Sequence, residues 1–113
     1  NKKNVLLLEK LPKIASKLKA SGGGRCNLTN TLEHEDFMDS FGCNGRFMQD
    51  ALKNLNNKTL IEFFSKISVD THAPDGFRVF PTSHSSSTII DAFMSEINNL
   101  GIKLLCNQRV EEI

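Results

Sequence analysis

Four apolar residues in a row, Val5-Leu6-Leu7-Leu8, lead into a charged pair, Glu9-Lys10. A continuous run this short suits a strand buried on both faces of a parallel sheet. Beyond it the spacing becomes helical. Pro12 to Lys19 predicts a short helix or turn, and Asp36 to Phe41 a second short helical segment. From Arg46, the positions Phe47, Met48, Ala51, Leu52 and Leu55 recur with a helical period, and Leu60, Ile61, Phe63, Phe64 and Ile67 mark one face of another helix. That helix starts with either Asn57 as N-cap or Thr59 and Glu62 as a capping box. Val69 to His72 and Phe77 to Phe80 read as strands joined through Pro74-Asp75-Gly76, a strong turn signal. The longest helix is expected from about Thr88 to Leu100, burying Ile89, Ile90, Phe93, Met94, Ile97 and Leu100, with Gly101 as its left-handed C′ residue. Ile102 to Cys106 gives a strand, and Val110 to Ile113 its continuation or the next one. Phe47, Phe63, Phe64 and Phe93 are assigned to the core on burial statistics. The order βα, helices, hairpin, αβ is that of an α/β chain.

One segment breaks the pattern. Ser21-Gly22-Gly23-Gly24-Arg25-Cys26-Asn27-Leu28-Thr29-Asn30 has three consecutive glycines, so its backbone can adopt positive φ and approach a ligand closely. Arg25 adds a permanent cation, and Asn27, Thr29 and Asn30 add neutral hydrogen-bonding groups. Such a segment suits a flat, polar, anionic cofactor. A flexible linker would repeat Gly and Ser, which this run does not. It also lacks the Gly-Lys-Ser/Thr ending of a phosphate-binding NTPase loop. Upstream, Glu9 stands at a strand tip, where dinucleotide-binding folds place the acid that accepts the adenosine ribose hydroxyls. Strands that merely end in charge are common, and Glu9 alone does not separate the two.

Composition narrows the class. The 113 residues are 39% hydrophobic and 24% charged with a formal net charge of +1, which is enough chain for one modest core. That balance gives no footprint for strong nucleic-acid or membrane binding. No apolar run approaches the ~20 residues of a membrane span, and no signal-peptide pattern is present. Cys26, Cys43 and Cys106 are an odd set without a C-x-x-C pair, so neither a metal site nor a disulfide framework is indicated, and a reducing cytoplasm is the expected setting. A glycine loop beside Arg25 can stabilise a thiolate at Cys26. No spacing joins that cysteine to His34, His72 or His84, however, and a structural or cofactor-lining role is preferred; His34 and His84 lie in polar surroundings and read as exposed.

The chain resembles the BaiN-like bacterial flavoproteins, also described as aminoacetone-oxidase-like or NAD(P)/FAD-dependent oxidoreductases. The resemblance is carried in order by Val5 to Lys10, Pro12-Lys13, Lys17, Ser21 to Asn30, Asn44-Gly45-Arg46-Phe47 and Arg78-Val79-Phe80-Pro81. It implies a partial Rossmann-like FAD-binding domain of the three-layer type. The first strand and the Gly-x-Gly-x-x-Gly turn of that domain are expected before Val5, so residues 1–113 are expected to be an internal fragment with no second domain. The implied cofactor is FAD, with NAD(P)H as electron donor and an unidentified organic substrate.

The same resemblance implies site residues. Glu9 is similar to the ribose-binding acid, with Lys10 beside it. Lys17 and the loop of Ser21, Gly22, Gly23, Gly24, Arg25, Cys26 and Asn27 match the segment along the flavin side of FAD. Val110, within Asn107-Gln108-Arg109-Val110, matches the residue whose backbone pairs with the adenine edge. Arg78 to Pro81 with Ser83 match a second motif near the same face. Catalytic residues are not indicated. Two departures stand out: Ala15-Ser16 replaces the family's Gly-Arg before Lys17, and Ser85 stands where a lysine commonly follows the Pro-x-Ser-x segment. Both remove cations near an anionic cofactor or substrate. The alternative to a flavoenzyme is a non-enzymatic module whose Gly-Gly-Gly-Arg loop holds a phosphate of RNA or another ligand.

Overall fold

The computed structural model describes residues 4–113. The described residues form two small sheets. Strand β1 (Leu6–Leu8) pairs in parallel with β5 (Lys103–Leu105), with Leu7 opposite Leu104. Backbone bonds extend this pairing past the strand ends: Glu9 N–H donates to the Leu105 carbonyl (3.0 Å), and Gln108 N–H donates to that of Glu9 (2.9 Å). The second sheet is antiparallel in the order β2 (Thr29–Asn30), β4 (Arg78–Pro81), β3 (Thr71–His72). Among the described residues, five α-helices connect them: α1 (Ser16–Ala20), α2 (His34–Asp39), α3 (Gln49–Asn54), α4 (Asn57–Lys66) and α5 (Ser86–Asn99).

The core lies between the glycine loop, α4 and α5. Cys26, Phe64, Val69 and Ile89 form its centre, and Leu18, Leu28, Leu60, Ile67, Ala92 and Phe93 pack around it. Helix α5 is tied to α1 where the Ser86 hydroxyl donates to the Lys19 carbonyl (3.3 Å). Its C-terminus closes as the sequence predicts. Gly101 has φ 68°, and the N–H groups of Gly101 and Ile102 donate to the carbonyls of Asn98 and Ile97, which is the Schellman pattern.

The structure corrects several expectations. Asn56, not Asn57 or Thr59, caps α4: its side chain accepts the Thr59 N–H at 2.9 Å. Asn57 instead donates to the carbonyls of Asn30 and Leu32 (3.0 and 2.8 Å), stitching α4 to the end of β2. The helix expected from Arg46 begins only at Gln49, because Gly42–Met48 takes the tighter 3-10 form. Gly45 is buried there against the Met38 carbonyl with no room for a Cβ. Three residues per turn in place of 3.6 rotate the apolar face, and Phe47 ends 89% exposed. Phe63, Leu55 and Leu100 also stay exposed, while Phe64 is core and Phe93 packs against it. Val110 to Ile113 forms no strand and is exposed. The continuous apolar strand is not covered either: Val5, Leu6, Leu7 and Leu8 are each at least 40% exposed, because β5 is the sole partner of β1 among the described residues.

Candidate functional site

The glycine loop follows α1 directly. The Ser21 hydroxyl closes that helix by donating to the Leu18 carbonyl (2.8 Å). Three consecutive left-handed residues come next, with φ 56° at Gly22, 64° at Gly23 and 87° at Gly24. The glycines are therefore used for the positive φ that the sequence implies. They are not equivalent. A Cβ on Gly22 would lie 2.9 Å from the Asn27 backbone nitrogen, whereas one on Gly23 or Gly24 would meet nothing within 4 Å. Gly22 is there for a close approach of the chain to itself. Gly23 and Gly24 present bare backbone to open space, which is where a ligand can approach.

The polar side chains of the loop mostly bond back to nearby backbone carbonyls. Cys26 takes φ 59° and puts its side chain, 3% exposed, into the core, which is the structural of the two roles weighed for it. With its amide oriented to donate, Asn27 bonds the Val79 and Thr29 carbonyls at 3.2 and 2.9 Å. Leu28 N–H adds a 2.8 Å bond to the same Val79 carbonyl. These contacts fix the loop on β4 and explain why Thr29–Asn30 becomes a strand, an element the sequence pattern did not signal. Arg25 stays on the surface. Its Nε donates to the Gly22 carbonyl (3.3 Å), and its guanidinium carbon lies 5.2 Å from the centre of the buried Phe80 ring, a cation–π contact.

At the other end of the site, Glu9 sits at the tip of β1. Its Oε1 accepts the Leu11 N–H at 2.8 Å and shapes the turn after the strand. The Gln108 N–H on the Glu9 carbonyl brings the Asn107-Gln108-Arg109-Val110 segment to the same end of the parallel pair. Glu9 and Val110 thus belong to one neighbourhood, and Gly23, Gly24 and Arg25 to another. Lys10 and Lys17 are exposed, Lys17 on α1 beside the loop.

Between α1, α5 and β5 lies an open cleft of about 500 Å³, bordered by Lys13, Ser16, Lys19, Ser87, Met94 and Cys106 among others. Its wall is largely apolar, with two lysines and two serines among the lining residues. Lys19 and Ser87 were not singled out from sequence, and Lys13 only as one of the residues that carry the resemblance; the lysines flanking Lys17 were the available signal. Sequence reasoning also missed a ring cluster on β3–β4, where His72 and His84 meet edge to face with centroids 4.5 Å apart and His84 lies 5.8 Å from Phe80. No group of three or more metal-ligating side chains occurs among the described residues. No helix among them is long and apolar enough to cross a membrane.

Ala15 stands where the family resemblance expects glycine, and it adopts φ 62°, ψ 29°. That is the left-handed region, which glycine enters without steric cost and alanine does not. The missing arginine at Ser16 leaves Lys13, Lys17 and Lys19 as the cations of this stretch.

The chain is similar to the 3-dehydro-bile acid delta(4,6)-reductase of Clostridium scindens, with 29% identity over 109 residues. That match takes in 96% of this chain and 26% of the reductase, so the chain spans about a quarter of that relative's length. The HI0933-like protein Rossmann domain matches residues 1–113 in full. With the parallel β1–β5 pair and the helices packed beside it, this match shows a partial Rossmann-like α/β domain: the chain belongs to the HI0933-like protein Rossmann domain family.

Proposed function

We propose that residues 1–113 are an internal part of the FAD-binding domain of an oxidoreductase, in which FAD carries hydride between NAD(P)H and an organic acceptor. One observation carries this reading: three successive left-handed glycines, two of which offer bare backbone to open space beside an arginine. That arrangement fits an extended anionic cofactor, since backbone N–H groups and a nearby cation favour negative charge. Family membership supports it, as does a relative whose name is that of a reductase. When bound, FAD would supply the two-electron chemistry. The chain's own residues would do the holding. Glu9 would accept the ribose hydroxyls, the backbone of Val110 would pair with the adenine edge, and Gly23, Gly24, Arg25 and Lys17 would lie along the flavin arm. Ser21, Cys26 and Asn27 would shape the loop rather than touch the cofactor through their side chains.

An absorbance spectrum of the complete polypeptide, dialysed and then denatured, tests the reading; flavin bands released in near-stoichiometric amount support it, and their absence contradicts it. Glu9→Gln then tests the ribose contact. The amide keeps an oxygen to accept the Leu11 N–H, so the turn after β1 should survive. Removing the charge weakens hydrogen bonds that are worth about 1.5–3 kcal/mol each when charge-assisted. FAD should be retained less well on dialysis, and unchanged flavin content would remove Glu9 from the site.

A further inference from the structure

Strand β4 has no part in the cofactor contacts proposed above, yet the glycine loop is built on it. Its residues Val79, Phe80 and Pro81 are all buried. The Val79 carbonyl takes the bonds from Asn27 and Leu28 that seat the loop on the strand. Phe80, the next residue, is 3% exposed and held in register opposite His72. Its ring reaches both ends of the Gly22 to Arg25 turn. Phe80 Cε1 lies 3.8 Å from the place a Cβ on Gly22 would take, and the Arg25 guanidinium carbon lies over the ring, 5.2 Å from its centre.

Arg25 is exposed, and arginine is among the side chains with most rotamer freedom to lose when they are ordered. Here the side chain is already folded back over its own turn. The Gly22 carbonyl accepts both the Arg25 N–H and its Nε–H, each at 3.3 Å. Both bonds are long and hold the side chain weakly by themselves. The Phe80 ring adds the attraction of its negative face for a cation within about 6 Å of the ring centre. That contact leaves the charge available. The ion pairs among the described residues are Lys53 with Asp50, Lys58 with Glu33 and Arg78 with Asp75, so no carboxylate among them takes up the charge of Arg25. Its Nε–H is the guanidinium donor that bonds to protein among the described residues, which leaves the terminal nitrogens to a ligand. A planar fork of donors beside the bare backbone of Gly23 and Gly24 suits phosphate oxygens.

Resting on the flavin-loop reading for its ligand, we infer that Phe80 is a positioning residue. It touches no cofactor and acts through Arg25, holding the guanidinium where the anionic arm of FAD arrives. Ordering that side chain in advance removes a cost that binding would otherwise carry. An aliphatic side chain would also bury itself at this place in β4, but only a ring offers a face to Arg25.

The test uses the complete polypeptide with Phe80→Leu, which removes the ring, with pentafluorophenylalanine at position 80, which keeps the ring's shape and reverses the charge of its face, and with Arg25→Gln. In NMR spectra without ligand, the Arg25 side-chain protons should lie upfield of their ordinary positions, shifted by the Phe80 ring, and Phe80→Leu should return them. Ordinary shifts in the unaltered protein overturn the inference whether or not flavin binds. Both changes at Phe80 should weaken FAD binding about two- to fivefold, the size of a surface cation–π contact. Neither should weaken it further in the Arg25→Gln background. An equal loss in that background means that Phe80 acts through packing alone and overturns the inference, as does unchanged affinity with the fluorinated ring. If Phe80→Leu does not fold, the fluorinated ring, close in size to the native one, carries the comparison. Absence of FAD binding by the unaltered protein sinks the flavin reading instead, and the NMR shifts then decide whether Phe80 holds Arg25.

Discussion

Ala15 is one of the non-glycine residues that the fold holds at positive φ. A left-handed conformation at a non-glycine residue costs roughly 1–2 kcal/mol, and Ala15 holds φ 62° at the entry to α1. Ala15→Gly is therefore expected to stabilise the fold by about 1 kcal/mol, the relief of strain being partly offset by the greater freedom of glycine in the unfolded chain; a lower denaturation midpoint would contradict this. The three cysteines make a second residue-level test. Cys43 is exposed, Cys106 half-buried and Cys26 buried in the core. A thiol reagent should label Cys43 first and Cys26 only on unfolding. Rapid labelling of Cys26 in folded protein would mean that the loop does not pack as described.

Among the elements, the turn of the β3–β4 hairpin is braced by one carboxylate. Asp75 Oδ1 accepts the N–H groups of Phe77 and Arg78 (3.0 and 2.7 Å), and Oδ2 pairs with Arg78 Nε. The Arg78 guanidinium, followed by these two backbone donors, holds the Asp75 carboxyl well below the usual carboxylate range. A carboxyl depressed in the folded state adds stability that is fully present above its unfolded value, near pH 4, and is lost as pH falls through the folded one. The hairpin should loosen only in strong acid, and Asp75→Asn should remove that acid-sensitive component; amide exchange of Phe77 and Arg78 against pH measures it. The turn itself was legible from Pro74-Asp75-Gly76, and the end of α5 from Gly101, because both depend on local backbone preferences. Strand β2 was not legible, since two residues pair only because Asn27 and Leu28 anchor them to Val79. Nor was the placement of Phe47, which depends on Gly45 nesting under a carbonyl seven residues earlier in the chain. In the site, positive φ at Gly22 to Gly24 was readable from composition, but which glycine faces open space was not. That distinction depends on Asn27 folding back over Gly22.

At the scale of the whole molecule, the antiparallel sheet is well covered around Val79, Phe80 and Pro81, and the parallel pair is not. Leu6, Leu7 and Leu8 are 53%, 40% and 41% exposed, and an open cleft of about 480 Å³ separates β1 from Phe63 and Phe93. An exposed apolar strand with a free edge favours association. Residues 1–113 purified alone are therefore expected to self-associate, and a monomeric, cooperative unfolding transition would contradict the internal-fragment proposal. The central claim is that the open side of the glycine loop holds the flavin. Gly23→Val tests it most directly, because the added side chain enters empty space and leaves the packing around Gly22 intact. A β-branched residue at φ 64° is strained and blocks close approach. The measurement is flavin content of the dialysed complete polypeptide, read beside its circular dichroism. The expected result is a folded protein that has lost its FAD; a folded protein that keeps its full complement of FAD would place the cofactor elsewhere.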